Sequence, residues 1–75
     1  MPGPAAELVE FMAKAIVSDQ AAVRVHEQEG DVLELETAQA DRGRVIGRQG
    51  RVAKAMRLVL AASRIGADHR LEIVD

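Results

Sequence analysis

The spacing of apolar residues changes period three times along this chain, and those changes decide what it can fold into. Across residues 5–20, Leu8, Met12, Ala15 and Ile16 recur at steps of three and four, with Phe11 at the edge of the stripe. That spacing predicts an amphipathic helix stopping near Ser18-Asp19-Gln20, with Glu7 and Glu10 in its early turns, where carboxylates suit the helix dipole. From Val23 the period drops to two. Val23 and Val25 alternate with Arg24 and His26; beyond Gln28-Glu29-Gly30-Asp31, Leu33 and Leu35 alternate with Glu34 and Glu36. This predicts an antiparallel hairpin whose open face carries Arg24, His26, Glu34 and Glu36. Asp41 reads as the cap of a short helix, RGRVI. After Gly50 the helical period returns, with Val52, Met56, Val59, Leu60 and Ser63 on one face and Gly66 as the stop. RLEIVD then alternates again, as a last strand. The predicted order is α-β-β-α-α-β. Three strands with one apolar face, and three helices to cover it, make an α+β two-layer sandwich.

Size and composition narrow the function classes. A chain of 75 residues is one domain, read here as a short leader over residues 1–4 and a single domain over residues 5–75. Its 48% apolar content is too high for a disordered chain. The absence of cysteine excludes a disulfide framework and thiolate metal sites, and suits a cytoplasmic protein. Glu7, Glu10 and Lys14 interrupt the first twenty residues, so no signal peptide is expected. No run approaches the roughly 18–20 apolar residues of a membrane span, and no membrane partner is expected. His26 and His69 lie far apart with no carboxylate at ligand spacing, so neither a metal site nor a cofactor is expected. Ser63 has no base beside it, and no nucleophile–base pair or paired carboxylates suggest an enzyme. Phe11 is the single aromatic residue, which tells against modules that stack bases on aromatic platforms.

Charge is unevenly divided. Residues 1–41 hold nine acids against two bases, net −7; residues 42–75 hold three acids against eight bases, net +5. No acid falls between Arg42 and Ala67. The stretch RVIGRQGRVAKAMR, residues 44–57, carries five of the bases around two glycines. A local positive field attracts polyanions even on an acidic protein. The acidic hairpin residues Glu27, Glu29, Asp31, Glu34 and Glu36 are either a solvated face or a repulsive one that steers such a ligand toward the bases.

Gly47 and Gly50 permit a tight bend with positive φ and leave room for another backbone. The following helix begins there, with free N–H groups and the positive end of its dipole. Arg48 and Gln49 stand at the tip; Arg44, Arg51, Lys54 and Arg57 surround it at helical spacing. This is not a Walker A loop, which ends in Gly-Lys-Ser/Thr after a strand. It is not a dinucleotide fingerprint, because a helix precedes the first glycine. A DNA-reading helix–turn–helix fits in outline, although Ala53, Ala55, Ala61 and Ala62 make a poor recognition helix. An ordinary helical corner with solvated arginines is the remaining reading.

VIGRQGRVAKAMR resembles the signature of KH domains, (V/I)IGxxGxxI. Together with the element order of the type II arrangement and the length of the chain, it is similar to the small single-domain bacterial KH proteins of the KhpA type. The resemblance covers the chain after Pro4, and implies single-stranded RNA binding with about four nucleotides clamped by the GxxG loop. The RNA-binding residues it implies are Arg44, Ile46, Gly47, Arg48, Gln49, Gly50, Arg51 and Lys54. Ile46 and Val52 would line an apolar groove for bases, with Val32 or Leu33 opposite. Where the general pattern has a bulky residue three after the second glycine, this chain has Ala53, and the bulk sits at Val52. The resemblance also implies self-association, or pairing with a larger KH-containing RNA-binding protein, and makes roles in RNA chaperoning or post-transcriptional regulation possible. The alternative is a protein-interaction module that uses the KH fold as a dimer contact.

Overall fold

The computed structural model describes residues 3–74. Met1 and Pro2 of the expected leader, and Asp75 at the end of the expected last strand, lie outside the described residues. The elements are α1 (Pro4–Ile16), a 3-10 turn (Gln20–Ala22), β1 (Arg24–Gln28), β2 (Val32–Glu36), α2 (Gln39–Ile46), a second 3-10 turn (Arg48–Gly50), α3 (Arg51–Ala62) and β3 (Arg70–Val74). The order is α-β-β-α-α-β, as the periodicity predicts, and the fold is α+β.

The sheet runs β1-β2-β3. β1 and β2 pair antiparallel, with Val25 opposite Leu35 and His26 opposite Glu34. β2 and β3 pair parallel, with Leu33 opposite Leu71 and Leu35 opposite Ile73. A parallel pair needs a long crossover, and α2 and α3 supply it, which is how the glycine-rich corner comes to sit outside the sheet. Alternation sends Leu33, Leu35 and Leu71 into the core and leaves Arg24, His26, Glu34 and Glu36 on the other face. The hairpin turns through Gly30 (φ 75°) and Asp31 (φ 60°), and the Asp31 carbonyl accepts the Arg70 N–H at 2.9 Å, so this turn also starts β3. Asp tolerates the left-handed region better than most side chains.

The helices cover the sheet with small residues. The buried face of α1 is Ala5, Ala6, Val9 and Ala13. The expected stripe was one position off: Leu8, Met12 and Ile16 pack at the margin, half-buried, Ala15 is exposed, and Phe11 is 74% exposed. Alanine has no bulk to hold a helix away from the sheet, so the alanine-rich side approaches closest and the larger residues seal the rim. In α3 the buried residues are Ala53, Met56 and Leu60, with Val52 half-buried; the expected core residue Val59 is 48% exposed. α3 ends at Ala62 with Ser63 as its C-cap, short of the expected stop at Gly66. Gly66 instead lies buried against Leu60, where a Cβ would strike the Leu60 side chain and approach its carbonyl to 2.8 Å.

Two expected surface features are tied into the fold. Asp41 does not cap α2, which begins two residues earlier with Ala38 at the N-cap; its carboxylate reaches back to the segment after α1. Glu27, expected among the hairpin acids, accepts the Gly3 N–H at 3.3 Å through its two oxygens and so places a negative charge at the start of α1.

Candidate nucleic-acid interface

The corner between α2 and α3 is built by three left-handed residues in a row of four. Gly47 has φ 77°, ψ 169°, a region open in practice only to glycine. A Cβ there would lie 2.5 Å from Val52 Cγ2 and 2.8 Å from the Val52 nitrogen. Gly47 is therefore required twice, by its dihedrals and by the approach of Val52. Gln49 (φ 58°, ψ 23°) and Gly50 (φ 74°, ψ 15°) are left-handed as well. A Cβ on Gly50 would meet nothing within 4 Å, so the space in front of the second glycine is open. The Gly47 N–H closes α2 on the Gly43 carbonyl at 2.8 Å, and the Gly50 N–H returns to the Gly47 carbonyl at 3.1 Å.

The side chains around this corner divide into bound and unbound cations. Arg48 and Lys54 are exposed and, among the described residues, have no hydrogen-bond or ion-pair partner. Arg51 donates from Nη2 to Gln49 Oε1 at 3.2 Å, bracing the tip of the loop against the first turn of α3. Arg44, one turn before Gly47, donates from Nη1 to Ser18 Oγ at 3.0 Å. Arg57 does not join the group: its Nε donates to the Leu71 carbonyl at 3.0 Å and binds α3 to β3. The first turn of α3 contains no acid, and no side chain caps it. Its dipole, Arg48, Arg51 and Lys54 thus act together at the start of α3, and among the described residues no carboxylate forms an ion pair with these three side chains.

The apolar flank is smaller than expected. Ile46 is 37% exposed at the end of α2, and Val52 is half-buried beside Gly47. Ala53 is buried, so Val52 is the side chain left toward the surface at the start of α3. Leu33 is 1% exposed in the core and cannot form the opposite wall. Val32 is half-buried on the strand beside it. The site residues Ile46, Gly47, Arg48, Gln49, Gly50, Arg51 and Lys54 are brought together at one corner; Arg44 belongs to the same helix but turns toward Ser18.

Asp41 and Ser18 escaped sequence reasoning as parts of this region. Asp41 is 4% exposed, and its oxygens accept the N–H groups of Ser18 at 3.1 Å and Asp19 at 3.0 Å. The Asp19 and Ser18 amides, with the Arg44 charge as a smaller contributor, hold its carboxyl below the usual carboxylate range against the opposing effect of burial. Nothing local in the sequence signals a contact across more than twenty residues. The histidines lie elsewhere: His26 Nε2 is 3.0 Å from Glu36 and His69 Nε2 is 4.0 Å from Asp31. Among the described residues no three His, Cys, Asp or Glu side chains are grouped to hold a metal. No helix among them is long and apolar enough to cross a membrane.

Comparison with known proteins agrees with the motif and the topology. The family model for the KH domain of KhpA/KhpB matches residues 6–73. The RNA-binding protein KhpA of Borreliella burgdorferi is 40% identical over 74 residues, spanning 92% of this chain and 90% of the relative. The protein of the same name from Aquifex aeolicus is 43% identical over 74 residues, spanning 92% and 94%. That from Clostridium perfringens is 41% identical over 70 residues, spanning 89% and 93%. With its GxxG corner between α2 and α3 and a match along nearly its whole length, the chain belongs to the KhpA/KhpB family of KH domains.

Proposed function

We propose that this protein is a non-catalytic RNA-binding module that holds short single-stranded RNA at the α2–α3 corner. The observation that carries the reading is the corner itself: a backbone opened by Gly47 and Gly50, with Arg48 and Lys54, unpartnered among the described residues, beside a helix start that no side chain caps. The names of the relatives, RNA-binding proteins, support the class of ligand. A phosphate approaches the open side of Gly50, Arg48 and Lys54 supply charge, and Gln49 contacts the backbone while Arg51 braces it. Bases rest on Ile46 and Val52, a groove too shallow for strong sequence preference. Such a site suits post-transcriptional regulation or RNA chaperoning in the cytoplasm.

A second surface favours a protein-interaction role. α3 turns Leu58, 71% exposed, and Val59 outward, and Ile65 is exposed in the turn that follows. This apolar surface fits self-association or pairing with a larger KH-containing RNA-binding protein. Two weak RNA sites joined in that way gain affinity through effective concentration.

A salt series separates RNA clamping from interaction alone. Two to four phosphate contacts, at about −0.7 in log–log slope each, weaken RNA binding about 7- to 50-fold between about 50 mM and 200 mM salt. A contact made by apolar packing responds little. RNA binding with a slope near zero, or no RNA binding beside a stable dimer, would leave the interaction role as the function.

A further inference from the structure

We propose that Asp41 is the positioning residue of this corner: by anchoring α2 to the segment after α1, and acting with Ser18 on Arg44, it sets how the loop is offered to RNA without touching the RNA. The inference rests on the RNA-clamp reading above. Asp41 is the only buried charged residue among the described residues. Both of its oxygens are used, on the N–H groups of Ser18 and Asp19 at 3.1 and 3.0 Å. A carboxylate held by two charge-assisted bonds has one orientation. Ser18 is also held from its other side, since its hydroxyl accepts Arg44 Nη1 at 3.0 Å. Asp41 and Arg44 are one turn apart on α2, so helix, Ser18 amide and Ser18 hydroxyl form a closed circuit. Arg44 and Gly47 are carried by the same short helix, Gln39–Ile46 and its closing N–H. Whatever rotates that helix moves Arg44 and the start of the loop together.

Two other roles for Asp41 give different outcomes. As a simple charge it is an acid close to a phosphate-binding face, and neutralising it strengthens RNA binding. As a purely structural group it changes the melting temperature and leaves affinity alone. As a positioning residue it weakens binding when neutralised, against the electrostatic trend. Asp41→Asn is the informative substitution, because the amide nitrogen turns a donor toward one of the two N–H groups and breaks the anchor with little change of shape.

The test is a fluorescence-anisotropy titration of a labelled single-stranded RNA oligomer with wild type, Asp41→Asn, Ser18→Ala, Arg44→Ala and Asp41→Asn/Arg44→Ala. All are measured well below their melting temperatures, with fold checked by circular dichroism. Asp41→Asn is expected to bind about 3- to 10-fold more weakly, a usual range for a residue acting through its neighbours. In the Arg44→Ala background it adds less than it does alone. Equal or tighter binding by folded Asp41→Asn, or losses that simply add, overturns the proposal. If Asp41→Asn does not fold, Asp41→Glu, which keeps the charge and shifts the carboxylate by one methylene, decides: it must weaken binding in wild type and weaken it less in Arg44→Ala. Ser18→Ala leaves the buried carboxylate and both backbone bonds in place, and must weaken binding in wild type but not in Arg44→Ala. A wild type that binds no RNA removes the clamp reading and this role with it. A wild type that binds while the variants match it removes this role only.

Discussion

Gly47 and Gly50 occupy equivalent places in the GxxG pattern, yet the structure makes their substitution by alanine unequal. At Gly47 the backbone lies at φ 77°, ψ 169°, and a methyl would lie 2.5–2.9 Å from three atoms of Val52. The dihedrals cost a side chain about 1–3 kcal/mol, and forcing a methyl into occupied space costs about 1–3 kcal/mol more. At Gly50 the conformation is ordinary left-handed helix, φ 74°, ψ 15°, and a methyl meets nothing within 4 Å. Only the left-handed cost remains, about 1–2 kcal/mol. A domain of this length has about 4–11 kcal/mol of stability in total. Gly47→Ala therefore removes a large share of it, and Gly50→Ala a small one. Urea denaturation followed by far-ultraviolet circular dichroism reads the difference. With a slope of about 1 kcal/mol per M, the midpoint falls by about 1–2 M for Gly50→Ala and by at least about 2 M for Gly47→Ala. Equal midpoints for the two variants, or a loss below about 1 kcal/mol at Gly47, would refute this reasoning about Val52 and the dihedrals. Gly50→Ala, still folded, places its methyl in the open space in front of the loop, and loses RNA affinity out of proportion to its stability.

Three further outcomes follow from the same contacts. Because the Asp41 carboxyl is held below its unfolded value, its contribution is full above about pH 3.9 and is lost as pH falls through the lowered folded value. Asp41→Asn is thus less stable than wild type at pH 7 in denaturant titrations, and the difference closes at the acid end; a gap that persists unchanged there tells against the anchored carboxylate. Arg57→Ala, which removes the donor to the Leu71 carbonyl, costs about 0.5–1.5 kcal/mol of stability and lowers RNA affinity less than Arg48→Ala in the same anisotropy assay. Leu33→Ala, at a fully buried site, costs about 2–5 kcal/mol by chemical denaturation, whereas Leu58→Ala, at 71% exposure, stays within about 0.5 kcal/mol and shows its effect, if the α3 surface is an interface, in sedimentation.

The element order was legible because the hydrophobic period switches cleanly at Val23, Gly50 and Arg70, and β residues such as Leu33 and Leu35 have only one face to bury. The faces of the helices were less so. Apolar spacing weights large side chains, and α1 packs by its alanines, so Val9 and Ala13 reached the core while Phe11 and Ala15 did not. The corner was legible as a local feature, since a glycine pair with positive φ needs no distant partner. What its neighbours do was not. Asp41 read as a cap because it stands near a helix start, but its donors, the Ser18 and Asp19 amides, come from the segment after α1. Arg57 read as one more base of the corner, although its helical position turns it to β3. Gly66 read as a helix stop and is a close contact with Leu60. In each case the missing information was a contact between segments far apart in sequence.

The most direct test of the central claim is an anisotropy titration of single-stranded RNA with wild type and with Arg48→Asp/Gln49→Asp, beside a control of equal formal charge change, Arg64→Asp/Ala67→Asp, in the turn beyond the far end of α3. Asp is tolerated at the left-handed position 49, so the loop variant keeps its fold, which circular dichroism checks, and its oligomeric state is compared with wild type by sedimentation. The clamp reading predicts that the loop variant loses binding while the control retains most of it. Equal binding by wild type and the loop variant, or equal losses in both variants, would contradict it.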